Sequence, residues 1–272
     1  MSEDDRPRYA DGNEVQIGDA TWDRETSYPA GIFDVLGVNP PGVVYMDPAT
    51  HRKMLAQPFD PDRFVLVERR SQDYRRAVFA WLRARAIAGD AQAEYAVAML
   101  LCEGIGTAFD PHEGAKWYRK CAERGDAHAQ AQMGWLHARG EGVPQDDVAA
   151  CRWFRMAAEA GEPTAQYGLA CRYDQGLGIA PDPAEAVRWY LAAAKQGISE
   201  AVCNLADAHE HGKGVKQDLV RAFEMYTLAA EDGVVAAMAG LAGMYRDGRG
   251  TRRDDEAAAR WMASAREKGW PG

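Results

Sequence analysis

Two neighbouring triplets in this chain hold the residue types of a reactive centre: His209-Glu210-His211, then Gly212-Lys213-Gly214. The first offers imidazole and carboxylate groups for metal ligation or acid–base work. The second has the glycines and lysine of a phosphate-cradling loop. Spacing argues against both. On a helix, residues two apart point to nearly opposite sides, whereas ligand pairs favour i,i+3 or i,i+4. His209 and His211 therefore do not pair, and no cysteine or third histidine lies at ligand spacing. A phosphate loop needs a buried strand before it, and none is legible there. The five cysteines (Cys102, Cys121, Cys151, Cys171, Cys203) include no CxxC pair. They stand mostly where related segments of the chain carry alanine or another small or apolar residue, which suits small, buried, inert thiols. His51 and His112 have no evident partner and read as solvated surface. No catalytic, cofactor-binding or metal-ligating residue is expected, and the chain reads as a binding protein rather than an enzyme.

What positions these residues is a repeat. From Gly89 the chain divides into five blocks of 36 residues without insertion, starting at Gly89, Gly125, Gly161, Gly197 and Gly233. The fifth position is always alanine, the sixteenth and eighteenth always glycine, the twenty-second always aspartate. The twenty-ninth is tryptophan in four blocks (Trp117, Trp153, Trp189, Trp261) and Met225 in the other. Each block predicts two helices. The first, such as "AQYGLACRYD", is short and amphipathic. Glycine at position sixteen ends it, because only glycine takes a left-handed backbone cheaply. Aspartate at twenty-two caps the second helix, and in Asp110-Pro111-His112-Glu113 and Asp182-Pro183-Ala184-Glu185 the N-cap signature is nearly complete. The next block's glycine ends that helix. No single hairpin can bury its apolar face alone, so the blocks must stack.

The pattern G-x-x-x-A, L-x-x-x-Y, G-x-G, D, A-x-x-W-Y-x-x-A-A-x-x-G over residues 89–268 resembles the Sel1-like repeat, a relative of the tetratricopeptide repeat. The resemblance implies a mainly α protein, a right-handed α/α superhelical solenoid commonly used as a protein–protein adaptor. His137 and His209 stand where that family usually has tyrosine, as does Leu101. Residues 74–88 align with a second helix and read as a leading half-repeat, so the solenoid is expected over 74–272, including a short tail. Residues 1–73 differ in kind. Short β-branched or aromatic runs such as "GVVYMD" and "RFVLVERR", separated by Gly, Pro, Asn and Asp, predict a small N-terminal β-rich module, partly like an SH3 barrel. The segment "YADGNEVQIGD" is similar to the start of small β domains of bacterial toxin-immunity loci.

Positions four, eight, eleven and fifteen share one face of the first helix, since their steps are 4, 3 and 4. That face varies while its scaffold repeats, as a recognition surface would. The first helices are expected to line a concave groove. The candidate partner-binding residues on it are Gln92 and Glu103, then His128, Gln132, Trp135 and Arg139, then Glu200, Asn204, Asp207 and His211. Trp135 is either a filler against the next hairpin or a binding hot spot. Net charge is −9, against nucleic acid bound through phosphates. Block four alone holds 7 acidic and 3 basic residues, so a basic protein partner would be steered to it. The acidic, polar start shows no secretory signal, and no run approaches a membrane span, so a cytoplasmic location without a membrane partner is expected. Two functions fit: an immunity-type inhibitor that binds and blocks a basic bacterial toxin or effector, or a Sel1-like scaffold or regulator that assembles a signalling or stress-response complex.

Overall fold

The computed structural model describes residues 45–46, 53–54 and 71–271. Among them, β1 (Tyr45–Met46) and β2 (Lys53–Met54) form a two-residue antiparallel ladder. The small β-rich module expected over 1–73 finds no further support. Its remaining strands, and the "YADGNEVQIGD" segment, lie outside the described residues.

Helices make up the rest. They are α1 (Ser71–Ile87), α2 (Ala91–Glu103), α3 (Pro111–Glu123), α4 (Ala127–Arg139), α5 (Asp147–Glu159), α6 (Pro163–Gln175), α7 (Pro183–Ala194), α8 (Ser199–His211), α9 (Leu219–Glu231), α10 (Val235–Asp247) and α11 (Asp255–Glu267). Every full block is one hairpin, so the described chain is a mainly helical solenoid. The helix expected as a half-repeat from residue 74 begins at Ser71.

The helix boundaries have the causes that the repeat announces. Gly104, Gly140, Gly176, Gly212 and Gly248 close the first helices in the left-handed conformation, each at φ near +70. Asp110, Asp146, Asp182, Asp218 and Asp254 cap the second helices, each carboxylate accepting from backbone N–H groups of the first turn. The same aspartates donate their own N–H to the carbonyl at position thirteen, as Asp182 does to Tyr173 at 2.9 Å. One residue thus fixes both the cap and the angle at which the chain enters the second helix. The first helices are less uniform. Asp90, Asp126 and Glu162 cap α2, α4 and α6, whereas Ile198 and Val234 give α8 and α10 no side-chain cap. Those two side chains pack instead into the apolar clusters beneath.

The chain forms two compact units. One runs to Arg124 and takes in Glu141–Val143; the other holds Gly125–Gly140 and everything from Pro144. In the first, Phe79, Leu82 and Ala86 of α1 pack on Ala93, Val97 and Leu100 of α2. The fully buried carboxylate of Glu94 takes Lys120 Nζ at 2.6 Å and the Arg124 guanidinium, both from α3 and its end. Burial pushes the Glu94 carboxyl up, but the hydrogen bonds and charges of Arg124 and Lys120 outweigh it and hold the group below the ordinary 4.5. A carboxyl with a depressed folded value stabilises the fold above its unfolded value, and that stability is lost as pH falls through the folded one. Glu94→Gln is expected to cost about 1–3 kcal/mol near neutral pH. In urea titrations its deficit should shrink as pH drops below 4.5. A deficit independent of pH would show that the ion pairs contribute nothing.

In the second unit, α4 to α11 form four hairpins. Each second helix packs on its own first helix and, except for the last, on the next block's first helix. Phe154 of α5 lies fully buried among Ala131, Ala157, Ala165 and Leu169. Tyr190 and Tyr226 take the same place in the next two blocks. Alanine at position five is wholly buried in every block, where a larger side chain would push neighbouring helices apart.

Candidate partner-binding face

Of the four positions assigned to one face of the first helix, position eight is buried in blocks one and three, at Ala96 and Gly168, while the candidate residues themselves are exposed or half-buried. Glu200 and His211 of α8 are exposed, and Asn204 and Asp207 between them are half-buried. The same gradient recurs in α4, with His128 and Arg139 exposed and Gln132 and Trp135 half-buried. In the first unit, Gln92 and Glu103 of α2 are exposed. In both α4 and α8 the middle of the face is less accessible than its ends.

The face is most organised between α6 and α8. Tyr167 of α6 interacts through its hydroxyl with Cys171 on its own helix and with Asn204 of α8. Tyr190 of α7 forms the floor, its hydroxyl 3.5 Å from Cys171 Sγ. Burial raises the pKa of both phenols, so they stay neutral. Above them lies a cavity of about 30 Å³ lined by Asp174, Tyr190, Asn204, Asp207 and Lys213. That is room for one water molecule or the tip of one side chain. Asp207 is the hub. One of its carboxylate oxygens lies 3.0 Å from His211 Nδ1 and the other 3.0 Å from Lys213 Nζ. The hydrogen bond and charge of Asp207, with the charge of Asp174 added, hold the Lys213 ammonium above its usual value.

Lys213 lies between the two glycines of its turn, and this answers the phosphate-loop question. The lysine reaches its own block's Asp207 and faces Asp174 of the block before. Arg249, at the same place one block on, pairs with the buried Glu210 and with Asp247. In these two blocks the residue inside Gly-x-Gly therefore faces an acidic residue of the block before, Asp174 for Lys213 and Glu210 for Arg249. Sequence reasoning missed this role; the signal was a basic residue at position seventeen facing an acidic residue at position fourteen of the previous block.

The histidines separate as helical geometry requires. His209 is buried and His211 exposed. A different set on the same helix meets the spacing rule for metal ligands: Asp207, Glu210 and His211 hold ligand atoms all within 4.8 Å of one another. Arg249 already occupies Glu210, and Lys213 already occupies Asp207. Trp135 packs within its own hairpin. Its ring packs edge-on against Phe154 at 4.9 Å between centroids, and the Arg139 guanidinium covers it at 5.4 Å. His128 Nδ1 lies 3.6 Å from the buried cap residue Glu162. Cys121, Cys151 and Cys203 are buried, and none of the five cysteines is in a disulfide. Burial and then neighbouring carboxylates push Cys102 and Cys203 up to about 11, so neither is a ready nucleophile.

The Sel1 repeat model matches residues 91–126, 127–162, 163–198, 199–234 and 235–270, the same 36-residue period with its boundary two residues on. No curated protein matches the chain. Among solved structures, a protective antigen of uropathogenic Escherichia coli strains, displaying an SLR fold, is 30% identical at a TM-score of 0.65. That match covers 70% of this chain and 41% of the other, so the chain spans about two fifths of that protein's length. A Sel1 repeat protein from Oxalobacter formigenes is 27% identical with a TM-score of 0.64, covering 78% of this chain and 86% of the other. An immunity protein from Pseudomonas aeruginosa is 17% identical with a TM-score of 0.48, covering 78% and 83%. Among the described residues, no helix is long and apolar enough to cross a membrane.

Proposed function

Because this chain belongs to the Sel1 repeat family, we propose that it is a protein-binding module whose α6–α8 face grips a basic partner. We infer further that the partner is a bacterial toxin or effector, which the chain neutralises in the cytoplasm. The observation that carries the reading is Lys213. An ammonium group is already held by Asp207 beside Asp174, at the mouth of a small cavity floored by a neutral tyrosine. A site that holds one lysine tip has the charge and size to hold another. Glu200 and His211 at the two ends, and Asn204 between them, supply a polar rim. His128, Gln132, Trp135 and Arg139 extend the surface along α4, with Trp135 as its aromatic anchor.

The occupant tests the reading in two steps. Co-expression with the effector encoded beside this gene should restore growth and yield a stable complex. Persistent toxicity, or a neighbour that is harmless, sinks the inhibitor role. The double change Asp207→Lys with His211→Glu should then weaken that complex about tenfold or more, chiefly through slower association. Lys213→Ala should strengthen it several-fold, because the partner's lysine no longer competes with an internal one. Unchanged affinity in both variants would place the contact on another face.

A scaffold with several partners is the second reading. It is favoured by apolar side chains left exposed on the second helices, namely Val148 and Met156 of α5 and Val220 and Leu228 of α9. Native-host pull-downs that return several proteins, none of them toxic, would select it.

A further inference from the structure

The outer face of α3 differs from every other second helix in the chain. His112, Lys116, Arg119 and Lys120 lie at i, i+4, i+7 and i+8, so they share one helical stripe. With the Gly142–Val143 turn they line an open recess of about 300 Å³. The corresponding stripe on α5 keeps Arg152 and Arg155 in its middle but begins and ends with Val148 and Met156, and that on α9 runs Val220, Glu224, Thr227 and Leu228. Only α3 among the five second helices has a basic or imidazole side chain at all four positions, in a chain of net charge −9.

The charges in the recess are only partly answered from within. Lys116 pairs with Glu113 at 3.1 Å, and Lys120 with the buried Glu94. Arg119 and His112 make no hydrogen bond or ion pair among the described residues, and both are exposed. Glu123 at the far end is the one carboxylate in the lining.

We propose that this recess is a second binding site, taking an acidic peptide segment of a partner protein. Three features select that occupant. The cations run along about 12 Å of helix, a row suited to several spaced carboxylates rather than to one small anion. Arg119 presents a planar fork free to grip a carboxylate in bidentate fashion. Nucleic acid, the other linear polyanion, would meet the repulsion of the chain's overall negative charge. The site is independent of the α6–α8 face and its lysine slot, and its ligand carries the opposite charge.

Fluorescence anisotropy on the full chain with a labelled oligoglutamate peptide tests the assignment. At low ionic strength the peptide should bind, and binding should weaken as salt is added. Lys116→Glu combined with Arg119→Glu should lower affinity at least tenfold or so, whereas Asp207→Asn should leave it within about twofold. Lys120 is left intact, because it holds Glu94, and circular dichroism checks that the charge-reversed variant is folded. The milder Arg119→Gln should weaken binding by several-fold and keeps the test decisive if the reversal unfolds the chain. Absence of binding, or binding indifferent to both variants, overturns the site. Tighter binding of an oligothymidylate assigns the recess to nucleic acid and overturns the occupant. So does oligoglutamate binding that emerges only when residues 1–8, with their Glu3, Asp4 and Asp5, are deleted.

Discussion

Phe154→Ala is expected to cost about 3–5 kcal/mol of stability, the range for removing a fully buried aromatic ring. The ring has no exposure. It sits in a seat cut by two glycines: a Cβ added to Gly134 would come within 2.6 Å of the ring, and one added to Gly168 within 2.8 Å. Trp135 closes the seat edge-on. Gly134 belongs to the same block as Phe154 and Gly168 to the next, so the ring joins α4, α5 and α6. Its loss should therefore weaken the contact between blocks two and three rather than one helix alone. In a stacked array held by neighbour interfaces, that predicts a urea transition that broadens or splits into two. The seat also predicts non-additivity. Gly168→Ala should cost about 1–3 kcal/mol in the parent chain by overpacking, and much less beside Phe154→Ala, where a methyl group enters the void. Additive costs in this cycle would show that the glycine is not there for the ring.

Gly178→Ala is expected to be comparably severe, at about 3–5 kcal/mol, for a different reason. Its φ is +71, which a Cβ makes unfavourable by itself. The larger penalty is contact: the added Cβ would lie 2.2 Å from the Asp147 carbonyl oxygen. The obstacle is backbone at the start of the previous block's second helix, so no rotamer change relieves it. Gly161 separates the two effects. Its φ is +93, and nothing lies within 4 Å of a Cβ placed there. Gly161→Ala should cost only the conformational part, about 1–2 kcal/mol. Urea midpoints of the two variants decide the matter. Equal losses would mean that the second glycine serves the turn alone. The equivalent approach recurs at Gly142 against Pro111, Gly214 against Pro183 and Gly250 against Leu219. This explains why position eighteen is glycine in every block, while the residue between the glycines is free to be Ile105, Glu141, Leu177, Lys213 or Arg249.

The candidate face was only half legible. Helical steps of 4, 3 and 4 placed Glu200, Asn204, Asp207 and His211 together and separated His209 from His211. Those are statements about one helix, and one helix is what spacing describes. The reading did not reach Asp174, because it faces Lys213 and Asp207 only through the stacking of one block on the next, nor Lys213, which meets Asp207 only once the turn after α8 folds back on the helix. The basic recess on α3 was missed for a related reason. His112 was judged alone, as a surface histidine, whereas its meaning comes from three neighbours on the same stripe and from the turn of the following block.

What the sequence by itself determined is everything local: the 36-residue period, the two helices per block, the left-handed glycine that ends one and the aspartate that starts the other. These depend on groups within a few residues of each other, so type and spacing are enough. What only the tertiary structure decided is whatever crosses from block to block: the glycine seat of Phe154, the carbonyl under Gly178, the Asp174 carboxylate facing Lys213 and the Arg249–Glu210 pair. Each depends on the rotation and rise between stacked hairpins, set by the packing of many side chains at once. Residue spacing along one hairpin carries no measure of it.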